Sequence, residues 1–178
     1  MPLSTPLLLT AVLALHAASA APTPAGEVKA VFLFNFTKFV EWPSASFPAP
    51  SSPIIIGVLG ADPFGGALEQ TVAGETVNGR PLTIKRFKSL EELAPCHILF
   101  ISASQEERVP EILRRLGRSE TLTVADIDGF AMRGGAIQFR ADSGRIRFEI
   151  SREAAERAGL RVSARLLSLA SVVRKRIP

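Results

Sequence analysis

The chain is poor in the residues that build most catalytic and cross-linked sites. Among its 178 residues are one cysteine (Cys96), one tryptophan (Trp42), no tyrosine and two histidines. A lone cysteine makes no intramolecular disulfide, so the apolar core has to hold the fold even in an oxidising compartment. Only one histidine, His97, lies beyond the first twenty residues. This removes most zinc sites and leaves any Ser-His-Asp scheme a single candidate base. No apolar run reaches the roughly 20 residues that a membrane-spanning helix needs.

The short run Leu7 to Leu15, followed by Ala18-Ser19-Ala20, reads as a secretory signal peptide cut after Ala20, although its first residues carry no Lys or Arg. A membrane anchor is the alternative, and the run is too short for one. No cysteine stands near the cleavage point, so lipoprotein processing is not expected. The expected organisation is a signal peptide over 1–20, a disordered Pro/Ala leader over 21–26 and one domain over 27–178. That length suffices for one core.

Charge is uneven. Met1 to Met132 carries ten basic and thirteen acidic residues, a net of −3; Arg133 to Pro178 carries eleven basic and four acidic, a net of +7. A basic end suits nucleic acid, anionic lipid or an acidic protein surface, and export sets nucleic acid aside. A solvated Arg-rich face explains the same charge.

Alternating apolar strands and helices predict an α/β fold, a mostly parallel sheet flanked by helices. Ile54–Leu59, Leu82–Phe87, His97–Ile101 and Thr121–Val124 read as its strands. Helices are expected from Glu27 to Glu41, from Asp62-Pro63 to Ala73-Gly74, and from Glu106 to Leu116, where Gly117 closes the last. Ala136–Ala141 and Arg145–Ile150 alternate cleanly around Asp142-Ser143-Gly144, an antiparallel hairpin with Ile137, Phe139, Ile146, Phe148 and Ile150 inward. Gln138, Arg140, Arg145, Arg147 and Glu149 face out. Two helices, capped by Ser151 and Ser163, finish the chain.

Five of the twelve aromatic residues fall between Ala30 and Pro43. At helical spacing Val28, Phe32, Leu33, Phe36, Phe39 and Val40 share a core face, which leaves Phe34 on the far side and Val31 and Trp42 between, beside Lys38. This leftover patch and the outward stripe of Arg145, Arg147 and Glu149, with Arg140 beside it and Arg165 on the last helix, are the candidate interaction surfaces. Aromatics and arginine are the residues that interface hot spots favour. Alternatively, Phe34 and Trp42 pack under the Pro/Ser loop that follows, and the arginines are solvated.

Other motifs read as structural. The glycines over 57–66 follow a strand but lack a phosphate-loop pattern. Asp126 and Asp128 lack the remaining ligands of a calcium loop. Cys96 and His97 are adjacent at a strand entrance, where neighbouring side chains point to opposite faces, so they make a poor nucleophile–base pair. No catalytic, cofactor or metal site is expected.

Lys29–Pro43, Ile56–Gly65, Cys96–Ile101, Gly134–Phe139 and Arg145–Ile150, the last continuing through Ala158-Gly-Leu160 to Ser163–Ala170, resemble in order and spacing the YfiR-like family of periplasmic proteins. The resemblance spans Glu27 to Val173. It implies a periplasmic regulator, not an enzyme. Such a protein represses an inner-membrane diguanylate cyclase by binding its periplasmic sensor domain, and so restrains cyclic di-GMP and biofilm. It also implies sequestration by an outer-membrane lipoprotein and a homodimer. Cys96 stands at a family cysteine position without a partner. On this reading Phe34, Lys38, Trp42, Arg145, Arg147, Glu149 and Arg165 form the partner-binding surface. The second reading is a periplasmic small-molecule sensor acting on another membrane partner, with the same Phe, Trp and Arg groups lining a pocket for an amphipathic anion.

Overall fold

The structure, a computed structural model, describes residues 23–173. The expected signal peptide, the first two residues of the leader and Arg174–Pro178 lie outside the described residues. Helix α1 spans Pro24–Phe39 and begins inside the segment expected to be disordered. Thr23 and Pro24 are the start signals: the Thr23 side chain accepts the Gly26 N–H at 3.0 Å, and proline occupies the first turn, where it has no bond to break. The helix ends two residues earlier than its periodicity predicts. Val40–Glu41 peels off as β1 and pairs antiparallel with β9 (Arg161–Val162), so a tertiary pairing overrides local propensity.

The main sheet contains β2 (Ile54–Leu59), β4 (Arg80–Phe87), β5 (Ile98–Ile101), β6 (Leu122–Ala125), β7 (Ile137–Asp142) and β8 (Arg145–Ile150). Short strands β3 (Thr76–Val77) and β10 (Ser171–Val172) close its edges, in the order β10-β8-β7-β6-β5-β2-β4-β3. From β4 through β7 the pairings are parallel, while β7–β8 and β3–β4 are antiparallel. The mostly parallel α/β sheet with a C-terminal hairpin is therefore the architecture adopted. Ser143 and Gly144, both at positive φ (49° and 78°), make the tight β7–β8 turn.

Helices α2 (Ala67–Val72), α3 (Val109–Leu116), α4 (Arg152–Arg157) and α5 (Ala164–Leu169) complete the layers. Two expected helices are shorter than predicted. Asp62 accepts the N–H of Phe64, only two residues on, and so caps a turn rather than a helix; α2 starts after Gly66. The expected start of α3 is instead a 3-10 segment, Ala103–Arg108. Gln138 was expected to face out but is buried, accepting the N–H of Ala131 at 3.2 Å, because the loop before β7 folds over it.

Two apolar cores lie on opposite faces of the sheet. On one, Phe32 and Phe36 of α1 pack on Phe139 and Phe148, with ring centroids 5.3–6.0 Å apart. On the other, Val109 and Ile112 of α3 cover Leu99, Ile101 and Phe130. Gly26 sets how closely α1 approaches the chain before α2, since a Cβ there would lie 2.2 Å from the Pro63 carbonyl oxygen.

Candidate functional site

The packing of α1 decides which of its aromatics remain available. Gly26, Ala30, Leu33, Phe34 and Thr37 recur at helical spacing and are all buried. The small residues mark the side of closest approach, and Phe34 shares it. Phe34 is 8% exposed, with the Lys38 ammonium 4.0 Å from its ring centroid. It is a core residue roofed by a cation, not an open contact. Val28 and Val31, at 44% and 48%, are the large apolar residues that α1 leaves in solvent, although Val28 was expected in the core. Trp42 is half-buried, and its Nε1–H donates to the His97 carbonyl at 3.2 Å. Its ring stands edge-on to the His97 ring at 5.9 Å.

The charged stripe is real and lies elsewhere. Since Phe148 meets α1, the alternation of β8 turns Arg145, Arg147 and Glu149 to the opposite face of the sheet. Arg140 pairs with Glu149 at 2.6 Å and Arg147 with Asp142 at 3.1 Å, around a shallow cleft of about 270 Å³ that Ser171 also lines. The Glu149 carboxylate holds the Arg140 guanidinium above its usual pKa. Arg145 is exposed and has no ion pair among the described residues. Beside this stripe, β10 pairs only with Glu149 and Ile150, which leaves the β8 edge from Arg145 to Phe148 without a strand partner among the described residues. Arg165 belongs to the α1 side, with its guanidinium 5.5 Å from the Phe39 ring. The seven candidate residues thus divide between two faces and form no continuous patch.

The loop over 57–66 is occupied by the protein itself. Arg86 reaches Asp62 at 2.6 Å, the Gly65 carbonyl at 2.9 Å and the Glu69 carboxylate, so this loop presents acceptor oxygens that hold a guanidinium and would repel a phosphate. Asp126 pairs with Lys29 at 2.6 Å and ties α1 to the end of β6. Asp128 is exposed and takes no part in that pair. No group of three or more acidic, Cys or His side chains is placed to hold a metal among the described residues.

Cys96 and His97 stand at the amino ends of the parallel strands, beside a cavity of about 560 Å³. Burial pushes the Cys96 thiol up to about 12, which leaves no thiolate for attack. His97 Nδ1 accepts the Ile55 N–H at 3.0 Å, and Nε2 meets the Ser46 carbonyl at 3.3 Å. The first contact requires a bare Nδ1, so the proton sits on Nε2 and donates. Phe47 stacks on the ring at 4.5 Å, and Arg80 lies over Phe47 at 3.8 Å. Burial, together with the nearby Arg80 cation, lowers the His97 pKa against the opposing pull of the Ser46 carbonyl and Glu120. With both nitrogens committed, His97 pins the Pro43–Pro53 loop and is not a free base.

A family model described as YfiR/HmsC-like matches residues 26–171, from the first turn of α1 to the start of β10. The chain belongs to the YfiR/HmsC-like family. No curated protein matches it. The family is regulatory rather than catalytic and periplasmic, and no helix among the described residues is long and apolar enough to cross a membrane. In this YfiR/HmsC-like chain the part that sequence reasoning missed is the cluster around His97. Phe47, Arg80 and Glu120 carry no motif, and they meet only because the loop folds back over β2 and β5. The β3–β4 hairpin was missed too, although Asn78-Gly79, both at positive φ, is its ordinary turn signal.

Proposed function

We propose that this protein is a periplasmic repressor that binds the sensor domain of an inner-membrane diguanylate cyclase and holds the cyclase inactive, lowering cyclic di-GMP and restraining biofilm. The family match across residues 26–171 carries the reading. Export by the signal peptide, a homodimer and sequestration by an outer-membrane lipoprotein belong to the same proposal. The same reading makes the protein a regulator and not an enzyme, and the commitment of the Cys96-His97 pair to packing and hydrogen bonds supports it.

A partner shifts an equilibrium only by its differential affinity for two states, and turning a cyclase from mostly on to mostly off needs a preference of about 5.5 kcal/mol. The surface we assign to this is the β7–β8 end. There Arg145, Arg147 and Glu149 stand beside a strand edge open to main-chain pairing, with the cationic Arg140 adjacent. Lys38 and Arg165 are the remaining candidates on the other face, lying over the Phe34 and Phe39 rings, while Trp42 is tied to the His97 carbonyl.

Capture of the purified sensor domain by the exported chain tests both levels. Arg147→Glu is expected to weaken capture at least tenfold with melting unchanged. Unchanged capture removes the β8 stripe from the proposal, and no capture by the wild-type chain removes the cyclase reading itself.

A further inference from the structure

The largest cavity among those described has no part in the surface assigned to the cyclase. It is a half-open cleft of about 560 Å³ below the amino ends of β2, β5 and β6, roofed by the Pro43–Pro53 loop and floored by the end of α3. That is within the range of small-molecule sites, roughly 300–1,000 Å³. Its walls are Pro48, Pro53, Ile55, Leu93, Ala94 and Leu116.

Apart from Arg115, which is exposed and has no ion pair among the described residues, the polar side chains along it are already engaged. The Ser46 hydroxyl donates to the Glu120 carboxylate, and the Thr121 hydroxyl donates to the Cys96 carbonyl at 2.8 Å. The Ser119 hydroxyl turns to Thr121 at 3.3 Å, and Ser52 accepts the Ala49 N–H at 2.9 Å. Both His97 nitrogens are taken, and the ring is held neutral by burial. Glu120 and Arg115 are the charged lining residues, one of each sign, so the lining has no net charge. Water in such a space finds few partners, and its displacement by an apolar body is favourable. A carboxylate has only Arg115 to meet and Glu120 to repel it. An ammonium group meets the reverse.

We propose that this cavity binds an uncharged, largely apolar small molecule with one or two rings. The inference rests on the cavity alone and stands or falls separately from the cyclase reading. The roof it would press against is the loop that His97 pins and that follows Trp42, so occupancy is reported by the only tryptophan in the chain.

A matched pair of probes provides the test: N-phenyl-1-naphthylamine, neutral, and 8-anilinonaphthalene-1-sulfonate, the same scaffold with a fixed negative charge. The neutral probe is expected to bind one to one and to quench Trp42 by energy transfer in a saturable way, with the sulfonate at least tenfold weaker. Ala94→Phe fills the space and is expected to weaken the neutral probe at least tenfold without lowering the melting temperature. If that variant does not fold, displacement of the neutral probe from the wild-type chain by 1-naphthol, again one to one, replaces it. Non-saturable binding, equal or tighter binding of the sulfonate, undiminished binding by a folded Ala94→Phe, or failure of 1-naphthol to displace the probe overturns the proposal.

Discussion

Acidification should destabilise this protein through one residue. His97 is the only histidine among the described residues, is 7% exposed, and in its neutral form fills both of its hydrogen-bonding roles. Burial lowers its pKa, and protonation would also turn Nδ1 into a donor facing the Ile55 N–H, so the folded state resists the proton. In the unfolded chain the same imidazole titrates near 6.5. Below that pH the unfolded state therefore holds more protons, and stability falls as pH falls toward the folded pKa. One proton gives a slope of at most about 1.4 kcal/mol per pH unit, and integrating from pH 7 to 5.5 gives a loss of up to about 1.2 kcal/mol. For a domain of this size that is a drop of about 2–5 °C in melting temperature. Urea or thermal unfolding followed by Trp42 fluorescence measures it. His97→Asn offers an amide oxygen where Nδ1 stood, so it can still accept from Ile55 but does not titrate. It should lower stability at pH 7 by about 1 kcal/mol through the lost Phe47 stack, and flatten the dependence between pH 7 and 5.5. Equal slopes in the two proteins, or a wild-type chain that gains stability on acidification, refute the assignment.

Three further outcomes follow from the packing. Phe36→Ala, at a fully buried ring that touches Phe32, Phe139 and Phe148, should cost about 3–5 kcal/mol in chemical unfolding. Gly26→Ala reverses the usual sign of that change in a helix: the added methyl meets the Pro63 carbonyl, and a melt should show a loss of about 1–3 kcal/mol rather than a gain. Cys96 should resist alkylation in the folded protein at pH 8 and react in denaturant, because its thiol is buried and pushed up to about 12.

The elements legible in the sequence are those specified by local pattern. The continuous apolar runs Ile54–Leu59 and Ile98–Ile101 became central parallel strands, and the alternation of Ile137–Asp142 and Arg145–Ile150 became the hairpin. Ser151 and Ser163 cap the helices expected of them, accepting from Ala154 and Leu166. The failures came where tertiary contacts decide. A helical wheel weighted by large residues placed Phe34 outside and Val28 inside. The actual seam follows the small residues Gly26, Ala30 and Thr37, which hydrophobicity undervalues. The candidate surface suffered for a related reason. Arg165 and Arg147 are both exposed arginines of the C-terminal third, yet the sheet stands between them, and sequence does not say which face a later helix will cover. The cavity was invisible because its walls come from four separate segments that only the fold brings together.

The central claim is tested most directly by reconstituting repression. A membrane diguanylate cyclase from the same cell, with its periplasmic domain intact, is titrated with the exported chain while cyclic di-GMP production is measured. The account predicts a saturable fall in production, accompanied by capture of the periplasmic domain, and relief by Arg147→Glu. Production that stays constant at saturating protein, with no capture of the periplasmic domain, contradicts it.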